Sequence, residues 1–345
     1  AEPSRAPLLS AYFSATGGIP VNLYRRFRRP VRILLGAAAF LLAGSLVPNF
    51  LKPDNLLNVV RQCSIIAICA VGVSQVIVIK GIDLSVGGNV TFCGMIAGLL
   101  LNGGVSVPLA ILLALLSGIL IGAASGSLVA FLEVPAFVAT LVVGQITQGA
   151  SYLFNNGRSF GGFPRGFVSI GNGYLLGVPY SDYIMVLFVL MGWVLSTKLP
   201  LGTRIYGLGG NEQVLKNAGI RVERIKLFVF SMSGFCAAAA GVLLASQLDT
   251  SHPTQGEPYQ LDAIAACIIG GVSMGGGEGK VPMTTVGALI IGSIRNVLNL
   301  LNVHSFYQNI TVGVIIIAVV ALSMMLKARS RQKTAQFAAE EVTGR

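Results

Sequence analysis

Charged side chains are scarce in this sequence. They make up 11% of its 345 residues, whereas soluble domains carry roughly 25%. Hydrophobic residues make up 54%, and the mean hydropathy is +0.76. The shortage of charge excludes an ordinary soluble domain, and the apolar surplus predicts an all-α polytopic membrane protein.

Cysteine and histidine are also sparse, and they do not cluster. No CxxC pair and no Cys/His group occurs, and each cysteine stands inside an apolar stretch. The five are Cys63, Cys69, Cys93, Cys236 and Cys267. We interpret them as small buried hydrophobic residues, and we expect no disulfide, no metal site and no cofactor in this chain. The apolar stretches also lack the series of Asp, Glu and His typical of a proton relay, which disfavours a proton-coupled transporter.

Catalytic and nucleotide-binding motifs are incomplete. Residues 271–275 match G-x-S-x-G, but no strand precedes them, as a nucleophile elbow requires. A P-loop ending at Lys280 would need Gly where Met274 stands and Ser or Thr where Val281 stands. The segment 207–212 lacks the last Gly of GxGxxG. We therefore expect no enzyme and no nucleotide site, so that energy for any work must come from another subunit.

Positive charge is concentrated at the ends of apolar segments. The formal net charge of +11 could indicate nucleic-acid binding, but this distribution fits the positive-inside rule, and we expect no nucleic-acid partner. Most basic residues fall in loops and tails assigned to the inside, and the outer loops carry only Lys52, Arg158 and Arg165. Both termini are therefore predicted to be cytoplasmic.

About ten transmembrane helices are predicted if each needs roughly 20 apolar residues. Their predicted ranges are 31–50, 57–79, 82–101, 108–131, 135–154, 181–197, 227–247, 261–276, 281–301 and 305–326. The domain organisation is then a cytoplasmic tail at 1–30, a transmembrane permease domain at 31–326 and a cytoplasmic tail at 327–345. The permease domain includes a long cytoplasmic loop at 198–226.

Glycines follow two patterns. Gly118, Gly122 and Gly126 recur at four-residue intervals, which predicts close helix packing in lipid. Gly-rich breaks near 80–88 and 270–280 interrupt apolar runs, and they predict broken or re-entrant segments, which membranes tolerate against protein or a watery cavity.

The long polar loop contains a short helix signature. Asn211 is a good N-cap, Glu212 and Lys216 form an i,i+4 pair, and Gly219 follows as the stop. A helix of about two turns is marginal alone, so we expect it to dock on a partner.

Polar side chains within the predicted spans are candidates for a translocation pathway or gate. Asp83 is interpreted first as an N-cap of the third span, and Asp262 as an N-cap of the eighth; a gating role for Asp83 stays open. Amides suit either helix packing or a cavity for a neutral polyol. The pathway candidates are Asp83, Ser85, Asn89, Gln145, Gln148, Asn296 and Asn299.

A succession of motifs resembles the permease subunits of bacterial ABC importers of the ribose/galactose/arabinose type, within the wider family that includes branched-chain amino acid permeases. The motifs are GIDLSVG (81–87), VPAFVATL (134–141), NNGRSF (155–160), GLGGNEQVLKNAGIRVERIK (207–226), SGFCAAAAGVLLASQL (233–248), LDAIAACIIGGVSMGGGEG (261–279) and LNLL (298–301). Autoinducer-2 permeases are similar in the same way, so the resemblance leaves that substrate open.

The resemblance implies partners as well as a function. Two permease subunits, identical or homologous, would form the pathway, and two cytoplasmic ABC ATPase subunits or domains would dock beneath them. A periplasmic or lipid-anchored binding protein would deliver the substrate to this multi-pass protein of the bacterial inner membrane. The GGNE…AG loop would couple to the ATPase through Gly210, Asn211, Glu212, Lys216 and Gly219.

The sequence thus predicts the permease subunit of an ABC importer for a monosaccharide or sugar-like solute. The alternative is a secondary transporter or channel that works alone on a small polar solute.

Overall fold

The computed structural model describes residues 47–318 together with Gly44 and Ala321. The predicted tails, most of the predicted span 31–50 and the end of the span 305–326 lie outside the described residues. The chain divides into two compact units, Ala1–Leu51 and Lys52–Arg345. Of the first unit, the described residues are Gly44 and the segment 47–51, which is turn and bend; the second unit carries the helices.

Helices dominate the second unit, with four two-residue strands between them. The helices are α1 (Pro53–Val78), α2 (Val86–Asn102), α3 (Val107–Ala130), α4 (Ala136–Leu153), α5 (Arg165–Asn172), α6 (Tyr180–Thr197), α7 (Pro200–Gly210), α8 (Glu212–Asn217), α9 (Val222–Leu248), α10 (Glu257–Ile269), α11 (Val281–Leu300) and α12 (Ser305–Ala318). The strands are β1 (Phe160–Gly161), β2 (Tyr174–Leu175), β3 (Val178–Pro179) and β4 (Thr250–Ser251).

Proline sets the start of many of these helices. It occupies one of the first two positions of α1, α3, α7, α10 and α11. Its fixed φ suits a first helical turn, and the N–H that it lacks would have no partner inside the helix.

The polytopic helical membrane class is confirmed. Within the described part of the chain, α1, α3, α4, α6, α9 and α11 are long and apolar enough to cross a membrane, and α2 and α12 are shorter apolar helices. Most observed bounds lie within a few residues of the predicted spans. The starts predicted at 57, 82 and 227 are four or five residues away from the observed Pro53, Val86 and Val222. The largest difference is in the span 261–276, whose helix runs from Glu257 to Ile269.

The two predicted breaks are confirmed as gaps between helices. Residues 79–85 separate α1 from α2, and residues 270–280 separate α10 from α11. Some structure was missed in the polar segments: α7 in the segment 198–226, and α5 with the short strands in the segments 155–180 and 248–260. Strand β1 pairs with β4 in antiparallel register, Phe160 opposite Ser251, and so joins two segments distant in sequence.

The centre of the bundle is formed by α1 and α9. Both are mostly buried, whereas α3 exposes a row of leucines that suits lipid contact. Helices α3 and α9 pack closely because glycines face each other: a methyl group at Gly118 would lie 2.7 Å from the carbonyl oxygen of Gly234, and one at Gly122 would overlap that of Phe230. The close packing predicted from the glycine spacing is therefore confirmed.

Candidate functional site

The short helix α8 is capped at both ends as its sequence predicts. The side chain of Asn211 accepts hydrogen bonds from the N–H groups of Gln213 (3.0 Å) and Val214 (3.3 Å). At the other end Gly219 has φ +74° and donates to the Lys216 carbonyl, while Ile220 donates to that of Leu215. This pair of bonds is a Schellman motif, which satisfies carbonyls that the helix cannot.

Ion pairs fix α8 to the rest of the chain. Glu212 Oε1 lies 3.0 Å from Lys216 Nζ, as predicted, and 2.9 Å from Lys226 Nζ at the start of α9. Partial burial alone would raise the pKa of Glu212, but the hydrogen bonds from Lys226 and Lys216 outweigh it, and the pKa lies below its usual value of 4.5. The contact with Lys226, which the spacing did not predict, anchors the helix to a long central helix.

An apolar contact completes the attachment of α8. Leu215 is partly buried against the main core, and its Cδ1 would lie 3.0 Å from a methyl group at Gly207 of α7. Ile220, directly after the C-terminal stop, packs on the same core. Next to Leu215 on the same helix, Val214 is 58% exposed. Helix α8 therefore packs one hydrophobic side chain inward and leaves another in solvent.

Three backbone segments, two of them glycine-rich, meet at the end of α7. The N–H of Gly277 donates to the carbonyl of Val78 at 2.8 Å, which joins the break 270–280 to the end of α1. Gly209 of α7 lies against the same carbonyl, so closely that a methyl group there would overlap it. Lys80 Nζ donates to the Gly210 carbonyl at 3.3 Å. We call this meeting point the glycine junction, defined by residues 78–81, 209–210 and 276–279.

The glycine junction is also held by a tyrosine. Tyr206 of α7 donates from its hydroxyl to the Gly279 carbonyl at 2.9 Å. Burial raises the pKa of Tyr206 despite a hydrogen bond involving Ser196. The hydroxyl therefore stays protonated and remains a donor at neutral pH. Only Asn211 separates α7 from α8, so α8 stands directly beside this junction in sequence.

Asp83 is buried in the first break, but it is not the N-cap predicted for the following helix. Residue Ser85 holds the N-cap position of α2. Asp83 Oδ1 accepts from the Ser85 N–H at 2.9 Å and from Ser85 Oγ at 2.6 Å. Asp83 Oδ2 accepts from Ser233 Oγ of α9 at 2.6 Å. The carboxylate therefore stabilises a local turn within the break and also connects the break to α9. The spacing of residues in the sequence could not indicate this second contact.

The candidate amides differ in their surroundings. Asn89 is fully buried and donates weakly to the carbonyls of Gly118 (3.4 Å) and Gly234 (3.3 Å), which places it at the crossing of three helices. Asn296 exchanges two hydrogen bonds with Asn55, at 2.9 and 3.0 Å. Both amides serve helix packing in this conformation.

The remaining candidates lie nearer to the surface. Gln148 donates to the Pro253 carbonyl, Asn299 accepts from Gln308 at 2.7 Å, and Gln145 is exposed. The structure thus does not bring the pathway candidates together at one site.

A buried ion pair replaces the N-cap predicted at Asp262. This residue lies inside α10, and its two carboxylate oxygens accept from Arg295 Nε (2.6 Å) and Nη2 (2.7 Å) of α11. The prediction was wrong because the helix begins earlier, at Glu257. The fork of an arginine matches a carboxylate in two parallel bonds, so the pair fixes the angle between α10 and α11.

The cysteines bear out their interpretation as buried small residues. All five are free and buried. In the described part of the chain, no group of three His, Cys, Asp or Glu side chains is arranged to hold a metal ion.

The chain matches one protein family over most of its length. Residues 55–320 match the family described as "Branched-chain amino acid transport system / permease component". A ribose import permease protein of Haemophilus influenzae is 44% identical over 277 residues, which cover 79% of this chain and 86% of that protein. A ribose import permease protein of Bacillus subtilis is 40% identical, covering 80% of this chain and 86% of that protein.

A more distant relative is named for a different substrate. An autoinducer 2 import system permease protein of Salmonella typhi is 32% identical over 316 residues, which cover 90% of this chain and 91% of that protein. No solved structure matches the chain. The family match and the extent of these similarities lead to one conclusion: the chain belongs to the family of branched-chain amino acid transport system permease components.

Proposed function

We propose that this chain is the permease subunit of a bacterial ABC importer and carries ribose or a similar monosaccharide into the cell. Relatives named as ribose import permeases are 40–44% identical, whereas the autoinducer-2 relatives are 32% identical. This difference favours a sugar over autoinducer-2. As a multi-pass protein, the chain resides in the bacterial inner membrane.

The observation that carries the proposal is the capped helix α8 on the glycine junction. Helix α8 presents Val214 outward and is fixed to α9 through Glu212 and Lys226. A separate ATPase subunit provides the groove for this helix and hydrolyses ATP. Since the chain itself lacks a complete P-loop, the energy comes from ATP hydrolysis by the ATPase subunit that docks on α8.

Transmission starts at α8 and passes to both breaks. The Val78 carbonyl touches Gly209 and accepts from Gly277, so movement of α7 displaces the ends of α1 and the break before α11 together. The side chain of Asp83 carries the movement into α9 through Ser233. The helices then rock between an outward-open and an inward-open arrangement.

The full importer contains further subunits. A second permease subunit, identical or homologous, completes the pathway, two ATPase subunits dock on the two α8 helices, and a binding protein outside the membrane delivers the sugar. In this arrangement the ten predicted spans place both termini and the loop 198–226 in the cytoplasm. Recognition of the sugar resides mainly in the binding protein, and the permease supplies neutral hydrogen-bonding groups.

Reconstitution separates this function from a transporter that works alone. We expect radiolabelled ribose to enter proteoliposomes only when the permease, its ATPase, its binding protein and ATP are all present. Uptake by the permease alone, driven by an ion gradient and indifferent to ATP, would exclude the importer function.

The role of α8 is tested by replacing Asn211 and Glu212 with alanine. The double variant loses the N-cap and both ion pairs, so we expect sugar-stimulated ATP hydrolysis to disappear while membrane insertion continues. Glu223→Ala, which removes a carboxylate from the first turn of α9 and leaves the cap and ion pairs of α8 in place, is the matched control and retains stimulation. Full stimulation in the double variant would place the contact with the ATPase elsewhere.

A further inference from the structure

A pocket of about 350 Å³ opens beside α8. It lies between α7, the segment 219–221 and the first turn of α9. Its lining residues are Leu201, Arg204, Gly219, Ile220, Arg221, Arg224 and Ile225. The pocket thus combines three arginines with three aliphatic side chains and contains no acidic residue.

The arginines of this pocket are available for an external anion. Among the described residues, the salt bridges join Glu212 to Lys216 and Lys226, and Asp262 to Arg295, and none involves the three pocket arginines. Glu223 is the nearest acid in sequence to Gly219, and none of the salt bridges among the described residues involves it. Glu212, the next nearest, is already engaged by two lysines. Guanidinium groups are the side chains best suited to bind phosphate oxygens in paired hydrogen bonds.

The pocket lies close in sequence to the end of a candidate membrane helix. Helix α6, a candidate span, ends at Thr197, and Lys198 Nζ sits over the Trp193 ring, 5.7 Å from its centroid. An aromatic ring with a cationic neighbour is typical of the interface between lipid and water. Because Arg204 follows six residues after Lys198, on α7, we expect the pocket to lie near that interface.

An exposed aromatic side chain links the pocket to the apolar zone. Phe228 is 37% exposed and stands four residues after Arg224 on α9. Side chains four positions apart share one face of a helix. A molecule with its anionic group on Arg224 therefore meets an apolar surface one turn deeper in the membrane.

We propose that this pocket binds the phosphate group of an anionic phospholipid from the adjacent leaflet. Arg204, Arg221 and Arg224 hold the phosphate oxygens, the aliphatic residues line the glycerol region, and Phe228 contacts the start of an acyl chain. The site goes beyond the coupling role of α8, and its occupation does not require an ATPase. Because Gly219 and Ile220 form both the C-terminal stop of α8 and part of the pocket wall, a bound lipid also steadies α8.

A carboxylate from a partner protein is the competing occupant. The aliphatic lining residues and the exposed Phe228 favour a lipid. A lipid would bury these apolar side chains, whereas a surface carboxylate would use only the arginines. The two occupants are separated by measuring the permease alone.

The test uses the full-length permease purified in a neutral detergent. Its melting temperature is followed while phosphatidylglycerol, phosphatidylcholine or inorganic phosphate is added. We expect stabilisation by phosphatidylglycerol alone, and an apparent Kd about tenfold weaker in Arg224→Gln, since one charge-assisted hydrogen-bond partner is lost. Arg224→Lys retains the positive charge but loses the paired N–H donors of the guanidinium group. Its apparent Kd is expected to lie between those of the wild type and Arg224→Gln.

Arg158→Gln, at an exposed position in an outer segment, is the matched control and keeps the full response. Equal stabilisation by phosphatidylcholine, or an unchanged response in Arg224→Gln, would overturn the proposal. Stabilisation by inorganic phosphate at the same concentration would assign the pocket to a free anion instead. If Arg224→Gln no longer co-purifies with the ATPase but keeps its response to lipid, the pocket binds the ATPase partner and not a lipid.

Discussion

Asp83 and Ser233 are joined by a hydrogen bond of 2.6 Å between Oδ2 and Oγ, although 150 positions separate them. Both residues are buried. The bond connects the break after α1 to the middle of α9.

Replacing Asp83 with asparagine is expected to destabilise the protein by about 1–3 kcal/mol. The amide NH2 of asparagine is a donor, and it would face Ser85 or Ser233, which already donate to this side chain. Ser233→Ala removes one donor and is expected to cost less. Thermal unfolding in detergent measures both, with Asp54→Asn as an exposed control. Equal stability of Asp83→Asn and the control would show that the carboxylate is not needed in the break.

Gly122→Ala is expected to destabilise by about 1–3 kcal/mol, because the added methyl group overlaps the Phe230 carbonyl and pushes α3 from α9. Gly149→Ala is the matched control: it lies in a membrane helix, and a methyl group there meets nothing within 4 Å. Thermal unfolding measures the stability of both variants. An equal loss of stability in the two would contradict the close packing of α3 and α9.

Arg295→Ala is expected to cost about 3–5 kcal/mol, because it leaves the buried carboxylate of Asp262 without its partner. The double variant Arg295→Met with Asp262→Asn is expected to recover much of the loss. A double-mutant cycle on unfolding free energies measures the coupling. Additive losses would mean that the two side chains act separately.

Acid is expected to loosen α8. The pKa of Glu212 is lowered from 4.5 in the folded protein, so its ion pairs contribute fully above about pH 4.5. That contribution is lost as the pH falls through the lower, folded-state value. Because Glu212 is 37% exposed, the effect amounts to only a few tenths of a kcal/mol. A spin label at Val214 should gain mobility below pH 4.5 in the wild type, whereas Glu212→Gln should be mobile throughout; an unchanged wild-type spectrum would contradict the role of the pairs.

Gly209→Ala is expected to abolish coupling while leaving sugar-independent ATP hydrolysis by the complex intact. A methyl group there overlaps the Val78 carbonyl and opens the glycine junction. Gly166→Ala, in α5 and outside the junction, is the matched control, since nothing lies within 4 Å of the added group. Sugar-stimulated hydrolysis in proteoliposomes compares them. Normal stimulation in Gly209→Ala would place the transmission path outside the junction.

The sequence predicted local features well. The caps of α8 depend on residues within a few positions of one another, such as Asn211 and Gly219, and hydrophobic runs locate most membrane helices to within a few residues. The glycine spacing in α3 indicated a close neighbour correctly, but it could not say that the neighbour is α9.

Long-range partners could not be predicted in this way. The start of α10 was misplaced because the polar residues 257–260 precede the apolar run, and this error turned Asp262 into an N-cap when it is a salt-bridge partner of Arg295. The bonds from Ser233 to Asp83 and from Lys226 to Glu212 depend on tertiary packing, which spacing along one chain does not encode.

The glycine junction has a consequence for the evolution of subunit pairing. Its central contacts are between main-chain atoms, the Gly277 N–H, the Val78 carbonyl and the backbone at Gly209. If α8 docks on an ATPase as proposed, substitutions at the exposed Gln213 or Val214 would change which ATPase is accepted and leave the main-chain contacts of the junction in place.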